Sequence, residues 1–86
     1  MNLKNFTMRT IMNYYERLKI LRKNHNLKQE DIADILKIKQ TQYSRYELGK
    51  NKMEIERYIA LAEFYNVSLD YLAGLIDEPR KLHDEK

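Results

Sequence analysis

Apolar residues recur along this chain at the spacing of α-helices, and no segment has the alternation that is typical of a strand. Tyr14, Leu18 and Leu21 stand at positions i, i+4 and i+7, which places them on one face of a first helix. Asn13 followed by Glu16 has the pattern of a capping box at the start of that helix. The pattern predicts an all-α fold.

Two short helices follow, with only a few residues between them. The second is predicted from about Gln29 to Leu36, with Ile32, Ala33 and Leu36 buried. The third begins near Gln40 and stops at Gly49, because glycine readily adopts the left-handed conformation just past a helix C-terminus.

A fourth, strongly apolar helix and a short fifth helix complete the pattern. The apolar residues that predict the fourth helix are Ile55, Tyr58, Ile59, Leu61, Ala62 and Tyr65. Ser68 caps the fifth helix, whose inward-facing residues are Leu69, Leu72, Leu75 and Ile76. Pro79 ends the helical region, because Glu78 before it is disfavoured in helical geometry.

Length and composition narrow the class of protein. The 86 residues suffice for one domain with one modest core, and the absence of cysteine excludes disulfides and Cys-based zinc or redox sites. His25 and His83 stand far apart, and no nucleophile–base pair indicates an enzyme. No apolar run approaches the ~18 residues of a membrane span. We therefore expect no metal, no cofactor, no membrane association and a cytoplasmic location.

The net charge of +3 is unevenly distributed along the chain. Residues 1–28 carry +6, residues 29–36 carry −3, residues 37–52 carry +4 and residues 53–86 carry −4. A basic N-terminal part joined to an acidic C-terminal part is typical of a protein with one phosphate-facing side, although solubility alone can produce the same asymmetry.

The candidate chemistry lies on one face of the third helix. Gln40, Thr41, Ser44 and Arg45 have the donors and acceptors that match base edges: Gln matches adenine and Arg matches guanine. A solvated helix face can show the same polarity. Basic flanks make DNA the better interpretation, because neutralising phosphates supplies much of the affinity for DNA. These flanking residues are Lys28, Lys37, Lys39, Lys50 and Lys52.

Four separated motifs in residues 13–76 resemble the lambda-repressor/Cro-type (Xre) helix-turn-helix domain. They are Arg17–Arg22, Leu27–Ala33, Tyr43–Lys50 and Val67–Leu72. The resemblance implies a compact five-helix bundle with a helix-turn-helix at about residues 29–48, whose third helix enters the major groove.

The resemblance also implies residue roles. Gln29 opens the second helix, contacts a phosphate and braces Gln40, while Arg22 and Glu47 form a salt bridge beneath the DNA-facing surface. The base-contacting residues would be Gln40, Thr41, Ser44 and Arg45. The other phosphate-contacting residues would be Lys28, Lys39, Lys50, Asn51 and Lys52.

Four positions depart from the pattern of the resembled family. Lys37 stands where glycine is usual, which predicts a left-handed lysine at a cost of about 1 kcal/mol. Lys28 and Lys39 replace the usual Ser or Thr N-caps, and we hypothesise that both lysines trade helix stability for DNA affinity. Tyr43 stands where a smaller Ile or Val is usual, so it is expected in the core rather than at a base. Tyr14, Tyr46, Tyr58, Tyr65 and Tyr71 fall at a spacing that favours core packing over base stacking.

The sequence thus predicts three segments: an N-terminal extension at 1–12, poorly ordered; a DNA-binding domain at 13–76; and a mobile, charged tail at 77–86. The predicted function is a sequence-specific transcriptional regulator, a repressor, that binds a double-stranded operator as a homodimer. Leu69, Leu72, Leu75 and Ile76 form its candidate dimer surface. The alternative is a protein-binding module, such as an antitoxin-like or anti-repressor partner, with DNA binding secondary.

Overall fold

The computed structural model describes residues 14–83, which contain five α-helices and no strand. This confirms the all-α prediction. The predictions for the N-terminal extension and for the Asn13 cap lie outside the described residues. The helices are α1 (Tyr14–Asn24), α2 (Gln29–Leu36), α3 (Gln40–Glu47), α4 (Ile55–Tyr65) and α5 (Leu69–Leu72).

All five helices end in the same way, with a left-handed residue after the last turn. The amide of the next residue then bonds a carbonyl five positions back, at 2.9–3.1 Å. This arrangement satisfies carbonyls that the helix end would leave unpaired. The left-handed residues are Asn26, Lys37, Gly49, Asn66 and Gly74.

The helix N-termini differ in how they are capped. Ser68 Oγ accepts a bond of 3.2 Å from the Tyr71 amide, as its sequence position predicts. Neither Lys28 nor Lys39 makes a side-chain cap, as predicted. At α2 the missing bond is partly replaced, because the Asp31 carboxylate accepts a bond of 2.8 Å from the Lys28 amide.

One core lies between the helices, and aromatic side chains form much of it. Its buried residues are Leu18, Leu21, Ile32, Ala33, Tyr43, Tyr46, Met53, Leu61, Ala62, Tyr65, Val67, Tyr71 and Leu72. Tyr43 is fully buried, which confirms its predicted core role. The predicted fourth helix is present as α4, and two of its apolar residues, Ile55 and Ile59, remain 57% and 46% exposed. They lie outside the stripe that Leu61, Ala62 and Tyr65 turn towards the core.

The α5 region separates the four residues that the sequence grouped together. Leu72 is fully buried, and Ile76 packs against the core. Leu69 and Leu75 are 37% and 58% exposed, so the prediction that all four face inward was wrong. A fully buried Leu72 has no surface for a partner, so the exposed members of the candidate dimer surface are Leu69 and Leu75, with Ile76 half-buried.

A buried arginine ties this region to α1. Arg17 Nη1 donates to the backbone oxygens of Tyr71 and Ile76, at 3.1 Å and 3.0 Å. Its guanidinium carbon also lies 4.2 Å from the centre of the Tyr71 ring, which is cation–π geometry. The chain after α5 is therefore attached to the body of the fold.

The charged tail follows a definite path as far as His83. Ser68 N donates to the Arg80 oxygen at 2.8 Å, and the Asn66 side chain bonds both backbone polar groups of His83. Residues 77–83 thus contact the end of α4 and the start of α5, and the mobility of the tail stays a prediction. Asn66 is the left-handed residue that follows α4, and its side-chain amide makes the contact with His83. Charge patterning does not reveal this contact.

Candidate nucleic-acid interface

A turn of three residues, Lys37 to Lys39, joins α2 to α3. Lys37 adopts φ 60° and ψ 44°, the left-handed conformation that the sequence predicted for it. The Ile38 amide then bonds the Ala33 oxygen at 3.0 Å, and the Ile38 side chain packs against the core. Because Ala33 is small and 2% exposed, the two helices approach closely behind the turn. The turn therefore fixes the orientation of α3.

One face of α3 is polar and open to solvent, while the other is buried. Gln40, Thr41 and Arg45 are exposed and Ser44 is half-buried. We call these four residues the recognition surface. The opposite face buries Tyr43, Tyr46 and Glu47. The fold thus brings the four predicted base-contacting residues together on one surface.

A chain of polar contacts runs from the core to this surface. Arg22 holds Glu47 through two bonds, Nε–Oε2 at 2.7 Å and Nη2–Oε1 at 3.0 Å. Gln29 Nε2 donates to Glu47 Oε1 at 3.0 Å, and Gln40 Nε2 donates to Gln29 Oε1 at 2.6 Å. The buried ion pair therefore positions Gln29, and Gln29 positions the exposed amide of Gln40.

Burial and hydrogen bonding shift the pKa values of Glu47 and Arg22 in opposite directions. Burial raises the pKa of Glu47, but hydrogen bonds from Arg22 and Gln29 outweigh it, so that pKa lies below its ordinary 4.5. The hydrogen bond to Glu47 raises the pKa of Arg22, although burial opposes it. Burial also raises the pKa of Tyr43, with the Glu47 charge adding to the effect. Both partners of the ion pair are therefore charged at neutral pH.

The predicted phosphate-contacting residues border the recognition surface. Lys28 and Lys39 precede the first turns of α2 and α3, and the others lie in the loop after α3. Gly49, at φ 75°, begins this loop, and a side chain there would come within 2.7 Å of the Tyr15 ring. The exposed members of the group are Lys28, Lys39, Lys50, Asn51 and Lys52.

Sequence reasoning missed one polar cluster beside the recognition surface. Tyr46 Oη lies 3.1 Å from Gln42 Nε2 and 2.7 Å from Arg57 Nη1, so the hydroxyl joins α3 to α4. The spacing of Gln42 and Tyr46, four residues apart on a helix, was visible in the sequence. Arg57 was not assignable, because its position depends on how α4 packs.

Residues 14–83 contain no group of three or more potential metal-ligating side chains. No helix in that range is long and apolar enough to cross a membrane.

Two short helices joined by a tight turn, with the second presenting a polar face, define a helix-turn-helix protein. The helix-turn-helix family model matches residues 18–72. This chain therefore belongs to the helix-turn-helix family of the lambda-repressor (Xre) type, whose members include HTH-type transcriptional regulators.

Relatives and a solved structure agree with this assignment. The chain is 39% identical over 66 residues to YobD, an uncharacterised HTH-type transcriptional regulator of Bacillus subtilis, covering 77% of this chain and 59% of YobD. It is 34% identical over 61 residues to the HTH-type transcriptional activator BcrR of Enterococcus faecalis, covering 71% of this chain and 30% of BcrR.

A transcriptional regulator from Listeria innocua has a similar structure, with a TM-score of 0.71 and 35% identity. The match covers 77% of this chain and 62% of that one. The chain thus spans about 60% or less of the length of these relatives.

Proposed function

We propose that this protein is a sequence-specific transcriptional regulator that binds double-stranded DNA by inserting α3 into the major groove. The observation that carries the proposal is the recognition surface itself. Its four side chains are polar and accessible, and Gln40 is held by Gln29 rather than left to rotate freely. A positioned amide loses less conformational entropy when it binds a base edge.

The charge around this surface supports DNA over a protein partner. Lys37 and Arg45 are exposed beside Gln40, whereas a protein-binding groove would present apolar side chains there. Exposed Lys28, Lys39, Lys50 and Lys52 border the same surface, where they neutralise phosphates on either side of the groove. The alternative of a protein-binding module receives no comparable support at this surface.

We further propose that the protein is a repressor that occupies its operator as a two-fold dimer. Domains of this class bind half-sites about one helical turn apart, which requires a contact between two copies. Exposed Leu69 and Leu75, adjacent to α5, supply apolar surface for that contact. BcrR is named an activator, so the direction of regulation is tested separately with a reporter gene whose promoter overlaps the selected site.

The decisive experiment is the selection of duplexes from a random pool, followed by affinity measurements at two salt concentrations. We expect the selected duplexes to share one sequence. Gln40→Ala and Arg45→Ala should each lose about 1–3 kcal/mol of the preference for the correct base pair at individual positions of that sequence. Arg80→Ala, which removes a basic side chain from the tail, is the control and should retain the preference. Equal binding to every duplex, or no binding at low salt, would contradict the proposal.

A further inference from the structure

The cluster of Gln42, Tyr46 and Arg57 joins α3 to the first turn of α4. We call it the donor cluster. Tyr46 Oη lies 3.1 Å from Gln42 Nε2 and 2.7 Å from Arg57 Nη1. Arg57 also pairs with the carboxylate of Glu54, the residue that precedes α4. None of these side chains belongs to the recognition surface or to the predicted phosphate-contacting residues.

The donor cluster has more hydrogen-bond donors than acceptors. A guanidinium only donates, and an amide or a phenol adds one oxygen each. Tyr46 Oη accepts from Gln42 and Arg57, and its own proton has no acceptor within residues 14–83. If the Gln42 amide is turned over, its oxygen takes that proton and its N–H groups face outward instead. Either orientation leaves donors for an incoming acceptor.

The cluster lies at one edge of the recognition surface. Gln42 and Arg45 are three residues apart on α3, so their side chains are neighbours on the helix. Arg57 follows the loop that contains Lys50 and Lys52, and its side chain is 28% exposed. The cluster therefore joins the helix that carries the proposed base-contacting residues to the helix that follows the proposed phosphate-contacting loop.

Glu54 indicates the chemistry that the cluster accepts. Its carboxylate bears a single negative charge on two acceptor oxygens, as does a backbone phosphodiester. The Glu54 side chain is 63% exposed and lies at the surface, so its pairing with Arg57 is weak and open to competition. A phosphate that approaches Arg57 can therefore take the place of this carboxylate.

We propose that Gln42, Tyr46 and Arg57 form a clamp for one backbone phosphate of the operator, and that Glu54 pairs with Arg57 until this phosphate displaces it. The inference rests on the proposed DNA-binding function. Because phosphate contacts fix position without reading sequence, the clamp sets the register of α3 in the groove. Its specific feature is the Tyr46 hydroxyl, which links a residue of the recognition helix to a cation on α4.

The first test measures affinity for the selected duplex across a series of salt concentrations. Arg57→Gln should weaken binding about 5-fold at ~0.1 M salt and lower the salt slope by about one, as expected for one lost phosphate contact. Arg57→Lys, which keeps the charge, should restore most of the slope. Arg80→Gln makes the same charge change in the tail and should leave the slope unchanged.

Two more variants test the hydroxyl and the competing carboxylate. Tyr46→Phe keeps the buried ring and removes the hydroxyl, and it should weaken binding about 3-fold while lowering the melting temperature by only a few degrees for the lost hydrogen bonds. Glu54→Gln should strengthen binding about 3-fold, because Arg57 loses its competing partner. Glu78→Gln changes the net charge equally and should have a smaller effect. If Glu54→Gln strengthens binding no more than Glu78→Gln does, then Glu54 does not compete with the phosphate for Arg57.

The second test identifies the phosphate. Each test duplex carries one uncharged methylphosphonate in place of one backbone phosphate. At one position this replacement should weaken binding by the wild-type protein but should not further weaken binding by Arg57→Gln. Equal losses for both proteins at every position would overturn the clamp and leave Arg57 with a structural role. Wild-type protein that binds no duplex would instead contradict the proposed function, so the two failures are distinguishable.

Discussion

At the scale of the residue, the buried Arg22–Glu47 pair is the contact on which the site depends. The Arg22 and Glu47 side chains are 10% and 2% exposed. Besides the bonds between them, Arg22 donates to the Leu27 oxygen just before α2, and Glu47 accepts from Gln29 in α2. Removing one partner leaves an uncompensated buried charge, whereas removing both leaves apolar space that can repack. The pair therefore couples stability to the position of Gln29.

The pair predicts a specific dependence of stability on pH. The pKa of Glu47 is lowered in the folded state, so its contribution to the free energy of unfolding is complete above about pH 4.5 and is lost as the pH falls through the lowered value. We expect Glu47→Gln to lower that free energy by ~3 kcal/mol at pH 7, and by less at about pH 3.5.

Urea denaturation of both proteins at several pH values measures this effect. Arg22→Met alone should also cost ~3–5 kcal/mol, and Arg22→Met combined with Glu47→Leu should recover most of the loss. If the free energies of unfolding of wild type and Glu47→Gln differ by the same amount down to about pH 3.5, then the charge of Glu47 contributes nothing to stability.

Lys37 gives a second prediction at this scale. A non-glycine residue at φ 60° is strained, so Lys37→Gly should raise the free energy of unfolding by ~1 kcal/mol. Lys37→Ala is the matched control, because it removes the same charge but keeps the Cβ that causes the strain. Thermal unfolding compares the three proteins. Equal stabilisation in both variants would assign the effect to charge rather than to the backbone.

At the scale of the element, α3 combines a buried face with an N-terminus that lacks a side-chain cap. Lys39 supplies no acceptor for the first-turn amides and places a cation at the positive end of the helix. Lys39→Ser should therefore raise the free energy of unfolding by ~1 kcal/mol, while lowering the salt slope of DNA binding by about one.

Lys39→Ala separates the two effects, because it removes the charge without adding a cap. It should lose DNA affinity as Lys39→Ser does but gain less stability. Calorimetry and binding at several salt concentrations measure both quantities. An unchanged salt slope in both variants, with only the serine variant stabilised, would leave Lys39 with no role in phosphate binding.

At the scale of the whole molecule, exposed apolar residues near α5 are available for contact with a second copy. Leu75→Asp places a charge at a position that is 58% exposed, so we expect the monomer to fold normally. Binding to a single half-site should be unchanged, while cooperative binding to two half-sites should fall about 10-fold. Phe64→Asp, at another exposed apolar position, is the control.

Electrophoretic mobility shifts with one and two half-sites report the difference directly. Cooperativity lost equally in both variants would assign the effect to charge alone. Cooperativity retained in Leu75→Asp would move the dimer contact away from the α5 region.

The sequence alone determined the helices of this protein, because apolar spacing and left-handed end residues are local signals. It also predicted Lys37 as left-handed and Tyr43 as core, because the motifs that resemble a known family mark those two positions. The polar face of the third helix followed from the helical period of 3.6 residues. These predictions needed only neighbours along the chain.

Tertiary structure decided which apolar residues became core and which stayed on the surface. Leu72 and Leu75 have the same side chain three residues apart, yet one is fully buried and the other is 58% exposed. Arg17 on α1 bonds the backbone oxygens of Tyr71 and Ile76 in the same stretch of chain. The Arg57–Tyr46 contact and the attachment of the tail to Asn66 likewise join segments distant in sequence. Such contacts are set by how the helices pack, and no local pattern encodes them.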